Sequence, residues 1–138
     1  MPDVTELLMQ DHRTVEDLFS EYEQDQDANV LDQICHALEV HTTVEEEVIY
    51  PRLAGLDAEL EREAQHEHAQ AKDLIVQIRA GDPDAAALAR QLKQAVQHHV
   101  QEEETNVFPL MQRELGAELE QLGREASSRK EQLLAGSP

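Results

Sequence analysis

The sequence predicts an all-α fold: an up-down-up-down four-helix bundle made from two helix-hairpin repeats, with a short fifth helix at the C-terminus. Three observations predict it. The composition is rich in Ala, Glu, Gln and Leu, has no Trp and is only 3% aromatic, which suits long helices rather than sheets. Apolar residues recur at helical spacing in successive stretches separated by turn-forming residues. The chain also repeats itself. His41 to Pro51, HTTVEEEVIYP, is answered by His99 to Pro109, HVQEEETNVFP, and Asp11 to Leu18, DHRTVEDL, is answered by Glu67 to Leu74, EHAQAKDL.

Each element follows in order. Pro2 and Asp3 suit a first helical turn, with the acid at the positive end of the helix dipole. Thr5, Leu8, Met9, His12, Val15 and Phe19 then define one face, and the helix is predicted to end near Glu23, before the polar connector Gln24 to Asn29. A second helix from about Asn29 carries Leu31, Ile34, Leu38, His41, Glu45, Val48 and Ile49 on one face. Pro51 lacks a backbone N–H and crowds the carbonyl of Glu47, so an irregularity is predicted there, and Gly55 marks the end. The third helix runs from about Asp57 to Ala80 with Leu60, Ala64, His68, Ala71, Ile75 and Ile78 inward. Gly81-Asp82-Pro83-Asp84 is the clearest turn. The fourth helix carries Leu88, Leu92, Ala95, Val96, His99, Glu103, Val107 and Leu110 inward, and Pro109 repeats the irregularity of Pro51. After Gly116, Leu119, Leu122 and Ala126 predict the fifth helix over about Ala117 to Leu134, followed by a frayed Gly136-Ser137-Pro138. The whole reads as one domain over residues 1–138, with the bundle over about residues 2–114.

Charge and composition exclude several function classes. A formal net charge of −19 would repel nucleic acid and anionic membrane, and it mildly favours a monomer. Cys35 is the single cysteine, so no internal disulfide is possible and a reducing compartment fits. The N-terminus shows no signal-peptide pattern and no stretch is apolar enough to span a bilayer. The expectation is a cytoplasmic protein.

The chemistry sits in the repeat. Residues four apart on a helix differ by about 40° around the wheel, so His41 and Glu45 share a face, as do His99 and Glu103. Such a pair alone is usually a solvated polar pair. Here both pairs interrupt apolar stripes, where unpartnered polar groups are costly. With one further His in each remaining stripe, His12, His41, Glu45, His68, His99 and Glu103 can converge on one central spot. Mixed imidazole and carboxylate ligation suits iron or manganese, whereas a structural zinc site usually recruits Cys. His36, His66 and His98 fall off the inward faces and are predicted on the surface, and Glu16 is read as a surface or outer-sphere residue. Glu46 and Glu104 turn away by about 100° and are expected to add negative potential or hydrogen bonds to the ligands. Cys35 reads as a small packing residue. An ideal wheel puts Tyr50 about 140° from Glu45, in a packing or surface role. Only a kink at Pro51 would swing it toward the cluster as a second-sphere group able to hydrogen-bond a bound ligand or donate an electron.

The order His12, then His41-x-x-x-Glu45, then His68, then His99-x-x-x-Glu103, with the openings DHRTVEDLF and HTTVEEEVIYPRL, resembles the hemerythrin-like, or HHE cation-binding, family over roughly residues 5–134. That resemblance implies a non-haem di-iron centre inside a four-helix bundle. On the matching positions Glu45 and Glu103 would bridge two iron ions, with an oxo, hydroxo or water bridge, and the four His would cap them in pairs. Oxygen-carrying members have a fifth His one turn from the His of the third helix. Here those positions are Ala64 and Lys72, and His66 lies about 200° round the wheel.

Ferritin-like bundles use Glu-x-x-His motifs and more carboxylates, so a storage ferroxidase is less favoured. With two His per ion, both ions would keep room for water or an exogenous ligand. The expected function is therefore a di-iron protein meeting a small oxidant, peroxide, nitric oxide or O2, in oxidative or nitrosative stress. Turnover with an unidentified reductant is favoured over reversible O2 carriage, so a di-iron oxidoreductase is a possibility that the sequence leaves open. The alternative is an iron sensor or buffer signalling through conformation or a partner, for which Ala117 to Leu134 is the candidate output segment.

Overall fold

The computed structural model describes residues 3–136; the expectations for Pro2, Ser137 and Pro138 lie outside the described residues. Every regular element among the described residues is helical. Helix α1 covers Val4–Asp25, and its start is set by Asp3, whose carboxylate accepts from the N–H groups of Thr5 and Glu6 while Glu6 reaches back to the Asp3 N–H. Gln26 closes α1 in a left-handed conformation (φ 54°), and Asp27 caps α2, Ala28–Val44, so the connector is shorter than the polar run suggests.

Helix α2 passes into a π-helical turn, Glu45–Ile49, and on into α3, Tyr50–Leu56. The same sequence of events follows α5 (Ala85–Glu102): a π turn at Glu103–Val107 and then α6, Phe108–Leu115. Both π turns end just before a proline. Pro51 and Pro109 cannot donate to the carbonyl four residues back, and the backbone accommodates this by widening one turn, with Tyr50 N–H bonding Glu45 O and Phe108 N–H bonding Glu103 O. The irregularity predicted at the two prolines is thus an inserted residue in the helical ladder. Helix α4 spans Ala58–Arg79 and is capped by Asp57. Gly81, at φ 82°, supplies the left-handed residue that lets the chain reverse before α5. A 3-10 turn at Gly116–Glu118 precedes α7, Leu119–Ala135, which packs on α1 and α2.

The helices bury two separate apolar clusters. One holds Val4, Leu8, Val44, Tyr50, Leu53, Ala64, Phe108 and Met111, and α7 closes it with Leu119, Leu122 and Ala126. The other holds Val15, Phe19, Tyr22, Ile34, Cys35, Leu38, Ala71, Ile75, Ala89 and Leu92. On α1, α2, α4 and α5 a buried polar layer interrupts the stripe between the two clusters. No helix among the described residues is long and apolar enough to cross a membrane.

Candidate metal centre

Helices α1, α2, α4 and α5 each send one imidazole into the polar layer, His12, His41, His68 and His99, and each π turn opens with one carboxylate, Glu45 or Glu103. Both carboxylates are fully buried at 0% exposure and the imidazoles nearly so. Their donor atoms form two sets, each within 4.8 Å: His12, His41, Glu45 and Glu103 in one, and Glu45, His68 and His99 in the other. Glu45 belongs to both. Glu103 also spans them, with Oε1 at 3.1 Å from His12 Nε2 and 3.4 Å from His99 Nε2.

A second ring of carboxylates holds the imidazoles from outside. His12 Nδ1 faces Glu104 Oε2 at 2.9 Å, His41 Nδ1 faces Asp11 Oδ2 at 3.0 Å, His68 Nδ1 faces Glu46 Oε2 at 2.9 Å, and His99 Nδ1 faces Glu67 Oε1 at 2.7 Å. This ring obeys the internal repeat: Glu46 answers Glu104, and Asp11 answers Glu67. Each carboxylate takes the Nδ1–H and leaves Nε2 directed at the centre, the arrangement that orients and strengthens histidine ligands. Lysines back two members of the ring. Lys72 Nζ donates to Glu46 at 2.6 Å, and Lys130 Nζ donates to Asp11 at 2.7 Å. Glu46 and Glu104 thus hydrogen-bond His68 and His12 from outside the polar layer. Asp11 and Glu67 escaped the sequence reading, although an acid directly before each repeated His was the available signal.

Without a cation the charges sort into ion pairs. Burial opposes a charge on His41, but Glu45 and the hydrogen bond to Asp11 outweigh it and push the imidazole up to about 10. Burial likewise opposes a charge on His99, and Glu103, Glu45 and Glu67 push it up to about 12. His12 is raised in the same way, with Glu103 overcoming burial. Burial would raise the carboxyl of Glu45, yet His41 and the surrounding hydrogen bonds hold it well below the usual range. The raised His12, His41 and His99 carry protons that a bound cation would have to displace.

Two further observations fit a cation-binding layer. Glu45 Oε2 is buried with no hydrogen-bond partner, and His41 Nε2 has Glu45 Oε1 at 3.2 Å but no aligned hydrogen bond, an expensive condition inside a protein. His68 Nε2 also lies within 3.0 Å of both Glu45 Oε1 and His99 Nε2, closer convergence than a single ring N–H or lone pair can satisfy.

Tyr50 departs from the wheel prediction. Its side chain is 1% exposed, and its hydroxyl lies 2.8 Å from His68 Nε2, 3.4 Å from His99 Nε2 and 3.5 Å from Glu103 Oε2. The ideal wheel fails because the π turn adds a residue, so that Tyr50 stands one turn beyond Glu45 instead of off to the side. Burial, then the nearby Glu45 and Glu103 carboxylates, raise its hydroxyl well above the usual range. In the other half Phe108 takes the equivalent place and stacks on His12 with centroids 5.9 Å apart.

The four imidazoles also line a small cavity of about 30 Å³, walled by Val15, Leu38, Ala71, Val96 and Val100. A larger cleft of about 290 Å³ lies between α1 and α5, and it shares His12, Val15, Val96 and Val100 with the cavity. Glu16, read as a surface or outer-sphere residue, is exposed and lines this cleft. His66 and His98 are exposed as predicted, whereas His36 is half-buried rather than on the surface. Cys35 is buried among the apolar residues, and burial pushes its thiol up to about 11.

Comparison with known proteins agrees with this geometry. A curated protein of Nostoc sp. (strain PCC 7120 / SAG 25.82 / UTEX 2576), described as a DNA nickase, is 33% identical over 145 aligned residues. The alignment takes in 96% of this chain but only 41% of that protein. No solved structure matches significantly. The family model for the hemerythrin HHE cation binding domain matches residues 3–111, which includes all six inward His and Glu side chains and both π turns and leaves α7 outside. The chain belongs to the hemerythrin HHE cation-binding family.

Proposed function

We propose that the polar layer holds two iron ions and brings them into contact with a small oxidant: peroxide, nitric oxide or O2. The observation that carries this reading is the sharing of Glu45 by both donor sets, with Glu103 spanning the same gap. Two donor sets that share buried carboxylates suit a pair of cations held close together. His12 and His41 would complete one end, His68 and His99 the other. Imidazole with carboxylate and no thiolate favours iron over structural zinc.

The chain's own groups do three things in this reading. The outer carboxylates keep each Nε2 lone pair directed inward. Glu45 and Glu103 offset the charge of the cations in a site from which bulk water is excluded. The cavity of about 30 Å³ limits what can approach. A single water needs roughly 10–15 Å³ of such volume, so the space suits a diatomic molecule or peroxide. Two redox-active ions, when bound, would supply two electrons to such an oxidant in one encounter. The reading takes the path as up-down-up-down, which the alternating order of the two apolar clusters along α1, α2, α4 and α5 supports. It also takes the chain as one cytoplasmic, monomeric domain served by a separate reductant.

Metal analysis on protein purified without a His tag tests it. About two irons per chain are expected, with both lost together in the double variant Glu45→Ala, Glu103→Ala. Full iron retention in that variant would remove the bridging assignment.

One contact favours a second reading, an iron sensor or buffer: Lys130 of α7 grips Asp11, which holds His41. Protease protection of α7 that depends on iron would support it. DNA nicking is not carried over from the Nostoc relative, since a net charge of −19 repels a phosphate backbone.

A further inference from the structure

We infer that Tyr50 is a phenolate ligand to the ion held by Glu45, His68 and His99, and that the ion at the His12 and His41 end has no such ligand. The inference rests on the two-ion reading above and deepens it: the two halves of a repeated site become chemically unequal.

Imidazole and carboxylate bonds to first-row ions are about 2.1 Å, so adjacent donors around one ion stand about 3.0 Å apart. Two of the three separations among the donor atoms at this end match that spacing. His68 Nε2 is 3.0 Å from Glu45 Oε1 and 3.0 Å from His99 Nε2, and His99 Nε2 is 3.6 Å from Glu45 Oε1. The Tyr50 oxygen joins the set at 2.8 Å from His68 Nε2, 3.4 Å from His99 Nε2 and 3.5 Å from Glu103 Oε2.

A purely hydrogen-bonded phenol does not account for this. A ring nitrogen carries one hydrogen or one lone pair, yet His68 Nε2 has three oxygen or nitrogen neighbours at 3.0 Å or less. Their convergence is that of ligands around a common point. The backbone commits Tyr50 to this position, because the π turn before Pro51 aims it along the face of Glu45.

The other half has the same π turn and the same proline but carries Phe108, whose ring lies against His12 with an interplanar angle of 12° and offers no donor. The cleft between α1 and α5 reaches the centre at His12 and includes none of Tyr50, His68 or His99. The phenolate therefore fills a position at the end farther from the cleft, and leaves to an exogenous ligand the end that faces the cleft. On ligation the phenol O–H bond breaks and its proton leaves to solvent. The oxygen lone pair forms the bond to iron, and no electron is transferred.

The full chain is loaded with ferrous iron under anaerobic conditions, oxidised in air, and examined for iron content, visible absorption and resonance Raman scattering. The expected result is iron-loaded protein with a phenolate-to-iron charge-transfer band whose Raman spectrum shows tyrosinate ring modes. Tyr50→Phe should keep the iron and lose both signals, while Tyr22→Phe, which alters the other tyrosine, should keep them. Wild-type protein that takes up no iron would refute the two-ion reading itself. Iron-loaded wild type without tyrosinate modes, or modes that survive in Tyr50→Phe, would overturn the ligand assignment and leave that reading standing. The wild-type Raman spectrum decides the matter even if a variant folds poorly.

Discussion

Asp11→Asn is the most informative single change outside the inner six residues. Asp11 accepts from His41 Nδ1 at 3.0 Å through one oxygen and from Lys130 Nζ at 2.7 Å through the other. Asn keeps the shape and removes the charge. Whichever way the amide is turned, its NH2 group must face either the Lys130 ammonium or the His41 N–H, so one of the two contacts becomes repulsive. A hydrogen bond to a charged partner contributes about 1.5–3 kcal/mol, and the Asp11 side chain is only 17% exposed, so solvent screening is modest. Losing an outer partner of a histidine ligand costs about 10–100-fold in metal affinity, equivalent to about 1.4–2.7 kcal/mol, and the two estimates agree.

The assay is anaerobic competition for ferrous iron against a chromophoric chelator at fixed pH. Two controls separate the causes. Lys130→Met removes the clamp but leaves the Asp11–His41 bond, so a loss smaller than that of Asp11→Asn is expected. Arg129→Met breaks the ion pair between α7 and Glu47 and a bond to Gln132 within α7, neither of which touches the outer ring, so affinity should stay at the wild-type level. If Asp11→Asn binds iron like the wild type, or if Arg129→Met weakens it equally, the outer ring does not tune the site.

Three other outcomes are expected. In chelator-treated protein His41 and His99 sit near 10 and 12 when folded against 6.5 when unfolded, so their stabilisation is full below about pH 6.5 and is lost as pH rises through 10 and beyond. The lowered carboxylates of Glu45, Asp11, Glu46 and Glu67 act in the opposite sense and lose their contribution as pH falls below about 4.5. Calorimetry of the metal-free protein should therefore find the highest melting temperature in mildly acidic buffer, with added iron raising it further, and a melting temperature that climbs from pH 7 to 11 would contradict the ion pairing. His66→Ala and His98→Ala should leave iron content unchanged while His68→Ala lowers it, read by metal analysis. Reduced protein should be oxidised by air without a long-lived oxygen adduct, and a spectrum that reverts to the reduced form when oxygen is pumped off would defeat the turnover reading.

The inner residues were legible because helical periodicity is local. His41 and Glu45, or His99 and Glu103, share a face by spacing alone, and their position within apolar stripes marks them as inward without reference to any other helix. The repeat then implied that His12 and His68 belong with them. The outer ring was harder to read, because Asp11 lies beside the inward stripe of its own helix and its partner, His41, is on another. Only the packing of α1 on α2 brings them within reach, and Lys130 arrives from 119 residues away.

Tyr50 shows where the boundary falls. From the sequence come the residue, the proline after it, the prediction of an irregular turn, and the contrast with Phe108. Its direction depends on how the backbone absorbs the missing N–H of Pro51. An uninterrupted α-helix would have left the hydroxyl off the face, whereas a π turn rotates everything beyond Ile49 and carries the oxygen to His68 and His99. Composition and spacing determined that this chain makes helices and gathers imidazoles and carboxylates in their core. The tertiary structure decided which of those groups meet, because contacts between helices depend on packing, on the outer ion pairs and on one added residue per turn, none of which has a local period.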